Sequence, residues 1–387
     1  MNVRLATIGD YVEPVATWNP ATKPEDRFVY IDLSAVDQTE KRIAATASVS
    51  GSEAPSRARQ LVKKGDILVS TVRPNLNGVA PVTEDFDGAT ASTGFCVLRP
   101  RPEKLSGSYL MHWVRSPQFI ESMVKQATGA SYPAVSDRII KGSLIPLPQL
   151  NEQVRIASIL DNSDMLSRKR KRAVELLDNL TRSTFLDMFG DPARNTRALP
   201  SAKLGQIGEW RSGGTPPRGQ AKYFEGNIPW FSSGELNSIY VNETAESVTE
   251  EALIETSARE VPPNSLMLGM YDTAALKSSI STVRSSCNQA IAFAQIDNSL
   301  AETLYVYYAI QLGKDEFRSQ QRGVRQKNLN LSMIKGIEIP LPSLDAQRAF
   351  VLGFQKNARM SKTLQKSMVM MNLLFASLQS RAFSGQL

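Results

Sequence analysis

The sequence predicts an α+β protein: two globular domains in tandem, separated by two long helices that form an antiparallel coiled coil with pseudo-twofold symmetry. Three observations carry that prediction. The stretch Gly142-Ser143-Leu144-Ile145-Pro146-Leu147-Pro148-Gln149-Leu150 recurs as Gly336-Ile337-Glu338-Ile339-Pro340-Leu341-Pro342-Ser343-Leu344, an offset of 194. The first copy leads into a run from Asn151 to Phe189 that holds neither Gly nor Pro. After both copies, apolar residues fall at alternating three- and four-residue steps: Ile159, Leu166, Ala173, Leu177 and Leu180, then Phe350, Phe354, Leu364, Met368, Met371, Phe375 and Leu378. That is the spacing of a coiled-coil seam.

A chain of 387 residues exceeds one ordinary core and suggests two or three folding units. The repeat divides it into a first domain (1–148), a central helix (149–191), a second domain (192–342) and a C-terminal helix (343–387). The offset of 194 holds without a gap from Gln153 and Gln347 to Phe189 and Phe383. Nearer the start, Leu5, Ile8 and Gly9 match Leu204, Ile207 and Gly208 at 199, as Val62 matches Val261. The middle of the second copy is therefore expected to be shorter. A period this long is a domain duplication rather than a solenoid.

Within each domain, short β-rich runs are bounded by Gly, Pro and Asn: Asp66 to Val72 and Gly94 to Leu98, then Ser265 to Leu268 and Ala290 to Ala294. Ser108 to Gln126 and Ala301 to Arg318 read as helices. Pro146 and Pro148 hold the chain extended before the long helix. Asn151 and Asp345 are good N-caps. Gly190-Asp191-Pro192 is a strong stop. At 1.5 Å per residue the central helix is a rod of roughly 58 Å. Two such rods, each fed by an equivalent domain, most economically pair with each other.

Composition narrows the function. Net charge is +7, which invites a nucleic-acid reading. Its distribution weakens the invitation: residues 1–150 carry 17 basic and 15 acidic side chains, residues 192–342 carry 15 of each, and residues 343–387 carry 6 and 1. Local loops must carry any contact with DNA. The basic run Arg168-Lys169-Arg170-Lys171-Arg172 points all round a helix, and reads as a solvated face or partner contact. The single histidine, His112, excludes His-rich metal sites and His–Asp triads, and is expected to pack. Cys96 and Cys287 lie far apart, giving no disulfide framework or zinc knuckle. With no secretory-type start and no membrane-length apolar run, a reducing cytoplasm is the expected compartment. No phosphate-binding glycine loop, base-methylating Asp/Asn-Pro-Pro-aromatic motif or nucleophile elbow occurs. The chain is expected to bind rather than catalyse, without cofactor or metal.

The duplicated Ile-Pro-Leu-Pro-x-Leu-x-x-Gln leads into a long helix. Gly190-Asp191-Pro192 lies between the halves. Gly213-Gly214-Thr215-Pro216, Ile228-Pro229-Trp230, Ser233-Gly234-Glu235-Leu236 and Ser70-Thr71-Val72-Arg73-Pro74 are also present. In order and spacing these motifs resemble the specificity (HsdS) subunits of type I restriction–modification enzymes over essentially the whole chain. This sequence begins almost directly with the first domain. The resemblance implies that each domain is a target recognition domain reading one half of an interrupted DNA sequence, and that the coiled coil separates the two readers. It implies a non-catalytic subunit. Its partners would be double-stranded DNA, two adenine-N6 methyltransferase (HsdM) subunits and restriction/translocase (HsdR) subunits. The alternative is a structural or decoy scaffold that binds a methyltransferase without reading sequence.

DNA reading needs loops that reach base edges and anchors on phosphates. Arg322, Arg325, Gln326, Lys327 and Asn328 lie just before the second Ile-Pro-Leu-Pro, in a segment rich in Arg and amides. Arg forks onto guanine; Gln and Asn fork onto adenine. The first-half counterpart holds Ser131 and Tyr132, suited to hydroxyl contacts. Thr71, Arg73 and Asn75 follow a strand on a Pro-bearing turn; Arg73 is a phosphate or base candidate, and a structural turn with an outward Arg is nearly as good a reading. Thr215 sits in the Gly213-Gly214 loop, and the basic pair Arg218 and Lys222 that follows is expected to contact phosphate, the alternative being that the glycines simply build a turn. Tyr271, with Asp272, is the positional counterpart of the Val72–Arg73 region. Trp230, beside Ile228 and Pro229, reads as core.

Overall fold

The structure is a computed structural model and describes residues 4–271, 275–321 and 328–387. It divides into two compact units, Met1–Lys171 with Lys366–Leu387, and Arg172–Gln365. Its helices are α1 (Gly107–Val114), α2 (Pro117–Gln126), α3 (Asp137–Gly142), α4 (Leu150–Phe189), α5 (Glu250–Glu255), α6 (Thr303–Gln321), α7 (Leu331–Gly336) and α8 (Leu344–Phe383).

In the first unit an antiparallel sheet runs Val12–Glu13, Phe95–Pro100, Ile67–Ser70, Val79–Pro81. A second sheet runs Ala47–Ser50, Arg27–Ile31, Thr90–Ser92, Ala58–Leu61, with one parallel pair. Successive strand residues point to opposite faces. Ile67, Val69, Cys96 and Leu98 therefore join the core under α1–α3, while Leu68, Phe95 and Val97 join the core shared with Ile31 and Val62. Burial on both faces explains why these strands read as continuous apolar runs.

The second unit repeats this plan. Leu266–Gly269 lies between Ile291–Ala294 and Ser278–Ser281, with Arg211–Ser212 and Tyr240–Val241 at the edges. Leu266, Leu268, Ala292 and Ala294 face the helices; Met267, Ile291 and Phe293 face the other way.

Paired hydrogen bonds fix the equivalence of the copies and correct the alignment at their start. Ile8 N–H donates to Ser143 O and Leu204 N–H to Ile337 O, so Ile8 corresponds to Leu204 rather than Ile207. The strand Ile67–Ser70 keeps the 199 offset to Leu266–Gly269, but its partner does not: Ser70 pairs with Phe95 as Gly269 pairs with Ile291, so the partner strands stand 196 apart. Single apolar matches near the start were too short to fix a register that only strand pairing decides.

The repeated motif has a physical basis. Leu144–Pro146 and Glu338–Pro340 each pair antiparallel with the first strand of their own domain, Leu5–Thr7 and Ser201–Lys203. The Pro146 and Pro340 carbonyls accept from the Tyr109 and Tyr305 hydroxyls, both at 2.8 Å. Gln153 is buried; its Oε1 accepts from Ser106 N–H and its Nε2 donates to Lys104 O and Pro148 O. Gln347 does the same with Glu302 N–H, Leu300 O and Pro342 O. The glutamine is a clamp that fastens the domain to the start of its long helix.

Two helix readings change. Ser108 to Gln126 is two helices: Pro117 cannot continue the ladder, and Ser116 Oγ caps the new start by accepting from Phe119 N–H. The second copy lacks that proline and α6 runs unbroken. The long helices also start one residue before the expected caps, at Leu150 and Leu344; Ser343 Oγ, not Asp345, accepts from Ala346 N–H. The stop is as predicted: Gly190 adopts φ +75°, where a Cβ would meet Thr196 and Arg197.

Inside each unit the helices run antiparallel, residue numbers rising along α4 as they fall along α8. In the first unit, Ile156, Ala157 and Leu160 share a core with Phe375, Leu378, Ala382 and Phe383, and Ser167 donates to Asn372 at 2.9 Å. In the second, Phe185 meets Phe350 with ring centroids 5.3 Å apart, and Asn357 donates to Thr181. The seam expected on α8 lies inward, but that expected on α4 is only partly so: Ile159, Ala173 and Leu177 are half-buried, while Leu166 and Leu180 are exposed. The true stripe passes through Gln153, Ser163 and Thr181, polar residues that a hydrophobic pattern skips. His112 is packed as expected, its Nε2 2.8 Å from Asp161 Oδ1. No helix among the described residues is long and apolar enough to cross a membrane. Nor do the described residues hold a His/Cys/Asp/Glu cluster able to bind a metal.

Candidate nucleic-acid interface

In the first unit, strand Ile67–Ser70 ends in a turn at Pro74–Leu76, flanked by Arg73 and Asn77 in the left-handed region (φ 50° and 46°). The connection between α2 and α3 folds against this turn. Arg73 N–H donates to Pro133 O at 2.7 Å, and Val135 N–H to Thr71 O at 2.8 Å. Two segments nearly 60 residues apart in sequence thus form one edge. Arg73, Asn75, Ser131 and Tyr132 are all exposed there. Tyr132 is 68% exposed, and the Arg73 guanidinium lies 4.7 Å from its ring centroid. The ring covers one face of the guanidinium and fixes its direction. Thr71 is withdrawn from this edge: it is buried, and its hydroxyl donates to Gly94 O at 2.8 Å. Residue type suggested an outward hydroxyl; the strand end turns it inward.

Sequence reasoning missed what holds the turn. Lys41 Nζ donates to Asn77 O at 2.6 Å and Oδ1 at 3.0 Å, while Asn77 Nδ2 donates to Val114 O. Burial, reinforced by the Arg115 charge and opposed by Asp37, pushes the Lys41 amine down to about 8. The dipeptide Asn77-Gly78 was a legible turn signal; its lysine partner, 36 residues earlier, was not.

The second unit builds the same edge on the same frame. Met270 N–H donates to Ala290 O as Thr71 N–H does to Gly94 O, and Leu329 N–H donates to Met270 O as Val135 N–H does to Thr71 O. Tyr271 and Asn328 are exposed at this edge. Arg322, Arg325, Gln326 and Lys327, like Asp272, lie outside the described residues.

The Gly213-Gly214 region proves to be a packed corner. A Cβ on Gly214 would lie 1.9 Å from Ser257 O. Thr215 is half-buried and its hydroxyl pairs with Gln289 Oε1. Arg218 donates to Glu246 at 2.7 Å and sits 4.8 Å from both the Phe224 and Trp230 ring centroids. Lys222 pairs with Glu251 and Glu255. These cations are engaged by carboxylates, which weakens the expectation that they anchor phosphate. Trp230 is buried and donates to Gly214 O, as a core residue. Three residues of the basic run on α4 are likewise paired: Arg168 with Asp164 and Glu40, Lys171 with Glu40, Arg172 with Glu175.

The two α+β domains thus keep one backbone frame while the side chains along the edge differ. Residues 29–176 and 201–366 match the family model of the type I restriction modification DNA specificity domain. The chain belongs to that family. It is 28% identical over 155 residues to the EcoR124I/EcoR124II specificity subunit of Escherichia coli, an alignment spanning 38% of each chain. It is 26% identical over 344 residues to the MjaIX specificity subunit of Methanocaldococcus jannaschii, covering 84% of this chain and 76% of the relative. A solved structure concerned with complex assembly and conformational transition of the type I R-M system superposes with a TM-score of 0.68 at 25% identity, covering 99% of this chain and 98% of the other.

Proposed function

We propose that this chain is the cytoplasmic, non-catalytic sequence-reading subunit of a type I restriction–modification complex. It binds an interrupted double-stranded DNA target, one half-site per domain. It directs adenine-N6 methylation by two methyltransferase subunits, and restriction by restriction/translocase subunits. The observation that carries this reading is the duplicated edge: the hydrogen bonds that frame Thr71–Val135 recur at Met270–Leu329, while the residues beside them differ, Val72 and Ala134 on one edge, Tyr271 and Asn328 at the same positions on the other. A common frame with divergent contacts suits two readers of different half-sequences. Arg73 is the reading residue of the first domain: stacked on Tyr132, it presents its forked edge to a base, the geometry that suits guanine O6 and N7.

Equivalent half-sites one helical turn apart are separated by roughly 34 Å. A helix of 40 residues is about 60 Å long, enough to set that spacing. The test is to exchange residues 1–148 for those of another family member and read genomic methylation by single-molecule sequencing. The methylated motif changes in one half only. An unchanged motif refutes the reading, and methyl transfer by the purified chain alone refutes the non-catalytic assignment.

A further inference from the structure

The antiparallel strands Val36–Asp37 and Arg42–Ile43 form a small hairpin that no function above employs. Its tip residues, Glu40 and Lys41, face two ways. Glu40 pairs with Arg168 and Lys171 on α4. Lys41, itself in the left-handed region at φ 52°, reaches the Asn77 carbonyl and side chain. We propose that this hairpin is a positioning strap: Glu40 fastens it to the basic run of α4, and Lys41 holds the 73–77 turn so that Arg73 meets its base in register with the helix. The proposal rests on the DNA-reading function above and assigns the basic run a role in it. Lys41 touches no base; it is a positioning residue.

The second unit supplies an internal comparison. Leu276 corresponds to Asn77, since Gly269 N–H donates to Lys277 O as Ser70 N–H does to Gly78 O. Leu276 is also left-handed, at φ 60°, and its carbonyl is held too, by Gln311 Nε2 at 2.8 Å. Both turns need a donor at the same carbonyl. The first uses an ammonium and the second a neutral amide, so only the first half-site responds to pH. The charges that act on the Lys41 ammonium are Arg115, at the end of α1, and Asp37 of its own hairpin; beyond them, Arg115 pairs with Asp164 of α4, and Glu40, next to Lys41 in sequence, pairs with Arg168 and Lys171.

The sign separates this effect from global stability. Lys41 titrates near 8, below its usual 10.5, so the unfolded chain binds more protons between those values. This group's contribution to folding stability therefore rises with pH through that window. The charge assistance that Lys41 lends the turn falls over the same window.

The full chain is selected against a randomised duplex pool, and affinity for the enriched duplex is measured by anisotropy at pH 7 and pH 9. Lys41→Met is expected to bind roughly tenfold more weakly at pH 7, the loss expected for a charge-assisted hydrogen bond, with the motif relaxed in its first half only and the salt slope unchanged. The wild type approaches the variant at pH 9, whereas Gln311→Met weakens the second half equally at both values. Hydrogen exchange across residues 71–78, compared at one pH without DNA, quickens in Lys41→Met. Wild-type exchange there, wild-type affinity with an intact motif, or an undiminished pH step in the variant overturns the strap. Should Lys41→Met fail to melt cooperatively, Lys41→Arg, charged at both pH values, must abolish the step; persistence of the step overturns the proposal. A turn that loosens while the wild type enriches no motif refutes the DNA-reading function, and with it the strap's part in reading.

Discussion

Replacing Gln153 with Leu removes the clamp between the first domain and α4. The wild-type side chain is 1% exposed and makes three hydrogen bonds: Oε1 accepts from Ser106 N–H at 2.9 Å, and Nε2 donates to Lys104 O at 3.2 Å and Pro148 O at 3.0 Å. Leucine approximates the volume but satisfies none of these partners. Ser106 is the N-cap of α1, so the orphaned N–H lies at the start of a helix whose Tyr109 and Trp113 sit in the core. Each buried polar group left unpaired costs about 1–3 kcal/mol, and solvent can reach part of the set, so the variant is expected to lose about 2–4 kcal/mol. Urea unfolding gives the magnitude, and hydrogen exchange across residues 104–110 assigns it to this junction. Gln347→Leu, in the second unit, should lose a similar amount while leaving exchange at 104–110 unaltered. A loss below about 0.5 kcal/mol for Gln153→Leu would mean that the Ser106 amide and the two carbonyls find other partners, and the motif's glutamine would need another explanation.

Asp66→Ala breaks the pair with Arg99, whose two contacts are both 2.7 Å and whose carboxylate is 1% exposed, and should cost about 3–5 kcal/mol because a cation is stranded; thermal melting checks it. Gly214→Ala forces the backbone away from Ser257 O and should destabilise the second unit by about 1–3 kcal/mol or more, read by urea unfolding; a neutral result would show the corner to be plastic. Burial pushes the Cys96 and Cys287 thiols up, so neither should react with a thiol-specific disulfide reagent at pH 8 until the chain unfolds. The folded values lie above the unfolded ones. The associated stability is therefore intact at neutral pH and declines as pH rises beyond the ordinary thiol range.

The duplication, the α+β character, the length of both helices and their stop at Gly190 were legible in the sequence, because each is written in contiguous residues or at a fixed spacing. So was the family, through the order of its motifs. Apolar periodicity located the inward stripe of α8 but only part of that of α4, where Ser163 and Thr181 occupy positions a hydrophobic scan discards. The candidate edge was legible as separate fragments. Arg73 and Asn75 on one side, and Ser131 and Tyr132 on the other, came from different stretches with nothing in either to say they meet. Tertiary structure alone decided that Arg73 N–H reaches Pro133 O, that Thr71 turns inward, that Arg218 and Lys222 are engaged by carboxylates, and that Lys41 holds the turn. The physical reason is range. Helix periodicity, proline breaks and left-handed glycines act within a few residues, whereas the partners of a charge or a carbonyl are chosen by strand pairing across dozens of residues, which one-dimensional spacing does not record.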